Sequence, residues 1–204
     1  MDMEKIERAK STIWDFGNEI LYNLCKEHFE HLNEEVIITK TLFIGRIYAA
    51  AIERRKIKID QINNDNFYIT KVAPAFKNSN LDSNLKILKN SSLNNIWEIL
   101  TTHKELQNIL KKITNLDKRS FSSKYLHFHL PDLFFIYDTR AVNSMNENYP
   151  QKIPNKYREI INSEHVDREY AKFFCKCLLL KEQLESESTE TITPRILDNI
   201  LIHP

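Results

Sequence analysis

The sequence predicts an all-α fold, a compact multi-helix domain spanning residues 1–204. Three observations carry this. Apolar residues recur at helical spacing along most of the chain. Only two glycines, Gly17 and Gly45, occur in 204 residues, too few for the tight turns of an all-β architecture. No stretch of strict alternation is long enough to build a sheet. Seven to nine helices account for the pattern.

Residues 3–32 carry Ile6, Ile13, Trp14, Ile20, Leu21, Leu24 and Phe29 at helical spacing, and Gly17 is the expected division point. Asn33 followed by Glu34 and Glu35 starts the next helix, with a side-chain acceptor and then acids in the positive first turn. This helix is expected to reach Lys56. Phe43, Arg46, Ala50 and Glu53 lie on one stripe of it, which predicts a substantially buried Arg46 paired with another segment. Arg46 is either a structural residue at a tight helix crossing or a group lining a pocket. Gly45 and Ala49–Ala51 would admit a close neighbour.

Residues 57–90 read as irregular, with Ile59, Ile62 and Phe67–Val72 in a short helix or extended piece broken at Pro74. Lys77–Leu85 reads as a loop. Ser92 is positioned to cap a helix running to Thr114, with a break near Thr101–Thr102. Asp167 opens another helix, rich in Phe, Leu and Cys. Thr193-Pro194 opens the last, with threonine as N-cap and proline in the first turn.

Composition narrows the function classes. Hydrophobic residues make up 42% and the formal net charge is +1, so bulk charge gives no argument for nucleic-acid or membrane binding. The most basic local stretch contains Lys104, Lys111, Lys112, Lys118, Arg119 and Lys124. It is either a solvated face or an edge that tracks phosphates. Cys25, Cys175 and Cys177 form no disulfide framework and read as small core residues. No HxxxH, CxxC or dinucleotide-binding pattern is present, so no metal or cofactor is implied. The charged N-terminus and the lack of a long apolar run predict a soluble, cytoplasmic protein.

The densest chemistry lies in Arg119–Met145. Phe121, Tyr125 and Phe128 share a helical stripe, and Pro131 stops that helix. Leu133–Tyr137 is too apolar for a surface loop and should be buried and extended. Asp138 then stands before Thr139-Arg140-Ala141, placed to cap a new helix. Lys124 and Asp138 would sit on successive helices around a short crossing. Each has a bland reading, as a surface lysine and a plain helix cap. His127 follows Lys124 at i+3 and shares its face, as a binding group or as a satisfied half-buried histidine.

The words SFSSKYLHFH and FFIYDTRA, flanked by IGRIYAAAIERR and TPRILDNIL, resemble the core of the helix-hairpin-helix DNA glycosylase superfamily. In particular they resemble bacterial proteins described as having an 8-oxoguanine glycosylase fold. The specific overlap spans about residues 119–145. The resemblance implies that Lys124 is a nucleophile toward C1′ of a damaged nucleoside and that Asp138 supports the oxocarbenium-like transition state. A glycosylase of this kind would hold a flipped base against aromatics such as Tyr125, Phe134 and Tyr137. Arg46 and His127, from their places on helical stripes, are further candidates for that site, and Lys111, Lys112, Lys118 and Arg119, from the local charge, for the DNA backbone. Family members carry a glycine-containing hairpin before the lysine. Here Leu116–Ser122 occupies that place without a glycine. Two function classes follow: a lyase-type DNA glycosylase in repair or in defence against foreign DNA, and a glycosylase-like module that binds nucleic acid, nucleotide or protein without cleavage.

Overall fold

A computed structural model describes residues 3–53 and 64–203. Every regular element among them is helical, as the sequence predicts. Twelve α-helical segments occur in this part of the chain, nine of them with seven residues or more.

The chain opens with α1 (Met3–Ala9) and α2 (Asp15–Glu27). They divide at Ser11–Trp14 rather than at Gly17, which lies inside α2 with open space around it. The cause is local. Asp15 accepts from the Thr12 backbone N–H and hydroxyl, both at 2.8 Å, and this turn resets the chain direction. Helix α3 (Glu34–Ile47) begins as expected, with the Asn33 Oδ1 accepting from Glu35 N at 2.8 Å and Val36 N at 3.3 Å.

α3 ends at Ile47, well short of Lys56. Ala49 takes a left-handed conformation (φ 53°), and Ala50 N–H returns to the Gly45 carbonyl at 2.7 Å. The small residues therefore serve the chain's own reversal: a Cβ on Gly45 would stand 3.4 Å from the Ala51 Cα. The reversal also corrects the expectation for Arg46. Its side chain is 59% exposed, and it pairs at 3.2 Å with Glu53, which the turn has folded back beside it. Arg54, Arg55 and Lys56, the end of the expected helix, lie outside the described residues, as do Ile59 and Ile62.

Pro74 does not break the chain. α4 (Asn64–Phe67) continues through a π-helical turn, Tyr68–Val72, into α5 (Ala73–Lys77). The widened turn brings Ala73 N–H to the Tyr68 carbonyl, and a one-residue bulge of this kind accommodates the N–H that proline lacks. The segment expected as a loop contains α6 (Leu81–Leu88). Leu81, Leu85 and Leu88 are fully buried at i, i+4, i+7 spacing, and that burial overrides the polar residues between them.

Helix α7 (Ile96–Thr114) starts after a Ser92–Asn95 turn and runs unbroken through Thr101, whose hydroxyl returns to the Trp97 carbonyl at 2.8 Å. Asn115 ends it in the left-handed region. Helix α8 (Arg119–His129) follows and packs against α2, α3 and α7. Leu133 closes a turn on Leu130, residues 134–137 follow without regular secondary structure, and Leu133–Ile136 are buried as expected. The backbone groups of this segment are satisfied by side chains: His127 Nδ1 donates to the Phe134 carbonyl at 2.8 Å, Tyr170 Oη to the Phe135 carbonyl at 3.0 Å, and Tyr137 N–H to Ser123 Oγ at 2.9 Å. A buried segment outside helix or sheet is stable only with such partners.

Asp138 caps α9 (Thr139–Glu147), accepting from Ala141 N–H at 3.0 Å. A short 3₁₀ turn leads to α10 (Arg158–Ile161). Asp167 caps α11 (Arg168–Glu187) through Tyr170 N–H at 2.8 Å, and Thr193 caps α12 (Pro194–Ile202) through Ile196 N–H at 3.2 Å. Helix α12 lies against α9 and α1, bringing the two ends of the chain together. All three cysteines are buried. No helix among the described residues is long and apolar enough to cross a membrane.

Candidate active site

Lys124 points from α8 into a cavity of about 280 Å³. The α1–α2 turn, the end of α3, the start of α9 and helix α12 close it, and Asp138 is part of its wall. The Lys124 Nζ lies 3.7 Å from Asp138 Oδ2 and donates to the Tyr48 carbonyl at 3.0 Å. That carbonyl is available because α3 stops at Ile47 and the left-handed Ala49 turns the chain aside. The lysine side chain is only 5% exposed, against 21% for Asp138. Burial lowers the Lys124 pKa, and the nearby Asp138 and Asp198 carboxylates oppose that shift. The surface-lysine reading of Lys124 is therefore excluded. Asp138 does two jobs at once, capping α9 with Oδ1 and facing the lysine with Oδ2.

The opposite wall belongs to α12. Arg195 contacts Asp198 Oδ2 through Nη1 at 3.3 Å and donates from Nε to Tyr22 Oη at 2.9 Å. Its guanidinium sits over the rings of Tyr22, Tyr48 and Phe128 at 5.8, 5.8 and 5.5 Å. Burial pushes the Asp198 carboxyl up to about 6, with Arg195 acting against that shift. Trp14 and Ile47 line the cavity while more than half exposed, and Ile13 and Phe16, within two residues of Trp14, are exposed as well. The exposed Arg140 completes a charged lining of three cations and two carboxylates.

Lys124 and Asp138 are thus together, but the other expected binding residues lie elsewhere. Tyr125 is fully buried in the core, its hydroxyl 2.7 Å from His31 Nε2. His127 is fully buried behind the cavity, with Nε2 on Tyr22 Oη at 2.7 Å and Nδ1 on the Phe134 carbonyl. Phe134 is core. Tyr137 packs on Phe173 and under the Arg119 guanidinium. Arg46 pairs with Glu53 outside the cavity. Only Ile136 from the aromatic crossing reaches the site. The physical reason is burial: the apolar crossing after α8 places its large rings in the domain core, and the space they fill cannot also hold a ligand.

The basic stretch is similarly divided. Arg119 makes a two-pronged contact with Asp167, Nε to Oδ1 at 2.5 Å and Nη2 to Oδ2 at 2.9 Å. Lys118 donates to the Ala51 carbonyl at 3.0 Å, and Lys111 pairs with Asp117 at 3.1 Å. Lys112 is exposed and Lys104 half-buried. Sequence reasoning missed Tyr22, Tyr48, Trp14, Arg195 and Asp198. The one available signal was an Arg/Asp pair at i, i+3 on a terminal helix whose other residues, Asn199 apart, are apolar. No group of histidine, cysteine and carboxylate side chains among the described residues is arranged to hold a metal ion. In comparisons with protein-family models, curated proteins and solved structures, nothing matches the chain.

Proposed function

We propose that the cavity excises a damaged or modified base from DNA, with Lys124 as nucleophile at C1′ and Asp138 as the supporting carboxylate. The observation that carries this reading is the desolvated Lys124 amine, 3.7 Å from Asp138, at the wall of a cavity. An amine attacks only when neutral, and burial favours the neutral form. Asp138 is placed to take the proton the amine loses on bonding and to offset positive charge developing on the sugar. The cavity has room for one base and sits near the ~300 Å³ lower end of small-molecule sites. A base would reach it by leaving the stack. This activity belongs where DNA is, and for a bacterial-type protein we assign it to the cytoplasm.

Borohydride trapping on oligonucleotides carrying single damaged or modified bases tests the reading. A covalent adduct with wild type and none with Lys124→Gln supports it, because only an amine forms a reducible imine. DNA bound without any trappable adduct supports the second reading, a glycosylase-like binding module. That alternative draws on the glycine-free α7–α8 turn and on Arg119, which is already engaged with Asp167.

A further inference from the structure

The α12 wall of the cavity holds two polar atoms that nothing among the described residues satisfies. Arg195 Nη2 and Asp198 Oδ1 are both buried, and neither has a hydrogen-bond partner. Buried polar groups are nearly always paired, so a donor and an acceptor orphaned beside one cavity call for a ligand. The two oxygens of Asp198 differ. Oδ2 faces Arg195 Nη1 at 3.3 Å, so a proton bound by this carboxyl resides on Oδ1. Arg195 is fixed in turn by its three aromatic neighbours and by its bond to Tyr22, which keeps Oδ1 the free oxygen.

Asp138, in the same cavity, is committed differently. One of its oxygens caps α9 and the other faces Lys124, and it touches solvent. Asp198 is 6% exposed. Of the two carboxyl groups, Asp198 is the drier and the one with an oxygen left uncommitted, the environment that suits a carboxylic acid.

We propose that Asp198 protonates the departing base through Oδ1 while Lys124 attacks C1′, an inference that rests on the base-excision reading of the site. In this step the neutral Lys124 nitrogen forms a bond to C1′, and the glycosidic C–N bond breaks with its electron pair moving to the base. The Asp198 proton goes to a ring nitrogen or exocyclic oxygen of the base, which leaves neutral. Asp198 becomes a carboxylate, and the alkylated lysine gives one proton to Asp138. Water reprotonates Asp198 after release. The substrate class is a neutral base that leaves poorly as an anion. Arg195 is a positioning residue.

The groups facing Asp198 are Arg195 on its own helix, Lys124 on α8, Asp138 and Arg140 at α9, Cys177 on α11, and Tyr22 and Tyr48 from α2 and the end of α3. Burial sets the balance and holds the carboxyl near 6, so part of it carries a proton at neutral pH.

The experiment has two arms, each with wild type and Asp198→Asn. The first measures single-turnover release from duplexes carrying one hypoxanthine or one 8-oxoguanine, between about pH 5 and about pH 8. The second measures borohydride trapping on an abasic-site duplex, which has no base left to protonate. Release needs a neutral Lys124 as well as a protonated Asp198, so we expect the wild-type rate to climb with pH below about 6 and to level off above it. Asp198→Asn should slow release by roughly 10²–10⁴-fold and let it go on climbing above about pH 6, with abasic trapping retained, because loss of the Asp198 charge favours the neutral amine. Equal loss in both arms makes Asp198 structural and overturns the inference, as does unchanged release. A wild type that traps the abasic site yet releases neither base removes the step assigned to Asp198, while Lys124 keeps its amine chemistry. A wild type inert in both arms overturns the base-excision reading and this inference together.

Discussion

Lys40 donates to His129 Nε2 at 3.0 Å in a part of the core where the lysine is fully buried. A second ammonium proton goes to the His28 carbonyl at 2.8 Å. His129 Nδ1 donates to the Tyr125 carbonyl, and the Tyr125 hydroxyl in turn meets His31, which is held by Asp82. Burial brings the Lys40 pKa down from 10.5 to about 8. Between those values the unfolded chain holds on Lys40 a proton that the folded chain has released, so this lysine's contribution to stability rises with pH across that window. The full effect is on the order of 3 kcal/mol. The three buried cysteines, whose thiols are pushed above 9.0, act the other way in the upper part of this range, so the lysine is read as a difference: in urea unfolding from about pH 7.5 to about pH 9.5, the stability of wild type relative to Lys40→Met should rise with pH.

The acid limb has the same origin with histidine. Burial lowers His103 from 6.5 to about 3 and lowers His31, His127 and His129 as well. Their contribution is complete above pH 6.5 and is lost as pH falls toward the folded-state values. His103 lies flat on Tyr170, with ring centres 3.7 Å apart. His103→Phe should retain that stacking and make acid unfolding, followed by circular dichroism, begin at lower pH.

Tyr22 Oη joins Arg195 Nε to His127 Nε2. Tyr22→Phe would leave both buried nitrogens unpaired, at about 1–3 kcal/mol each. We expect a lower urea midpoint with little change in slope. A midpoint equal to wild type would mean that the hydroxyl is dispensable.

Arg119 and Lys112 should separate stability from DNA contact. Arg119→Ala leaves Asp167 with only Gln107 and the α11 N-terminus, so it should destabilise by about 3 kcal/mol. Lys112→Ala should leave stability within about 0.5 kcal/mol. If Lys112 meets a phosphate, its loss lowers the salt slope of DNA binding by roughly one unit. Fluorescence anisotropy at several salt concentrations measures this, and an unchanged slope returns Lys112 to the solvated face.

Features set by one or two neighbouring residues were legible in the sequence. Asn33, Asp138, Asp167 and Thr193 cap helices where their side chains predict it, and Leu133–Ile136 is buried as its composition requires. Lys124 and Asp138 were legible as a pair because a short crossing joins their helices. What depends on distant segments was not. Arg46 was assigned to a helix that in fact turns back at Ala49. Leu81, Leu85 and Leu88 kept a helical period beneath a polar composition. The α12 wall required knowing that residues 194–202 return to the first helices, a pairing no local pattern encodes. Aromatic density marked the core rather than the ligand space, because the same rings serve either purpose until the packing is known.

Trp14 gives the site an optical signature. The chain has two tryptophans. Trp14 lines the cavity mouth, while Trp97 stands on another surface beside His165. In a Trp97→Phe background all indole emission would come from the mouth of the site. A base entering the cavity would then quench or shift that emission on the timescale of its own arrival. Base entry could be timed separately from bond breaking, without labelling the protein.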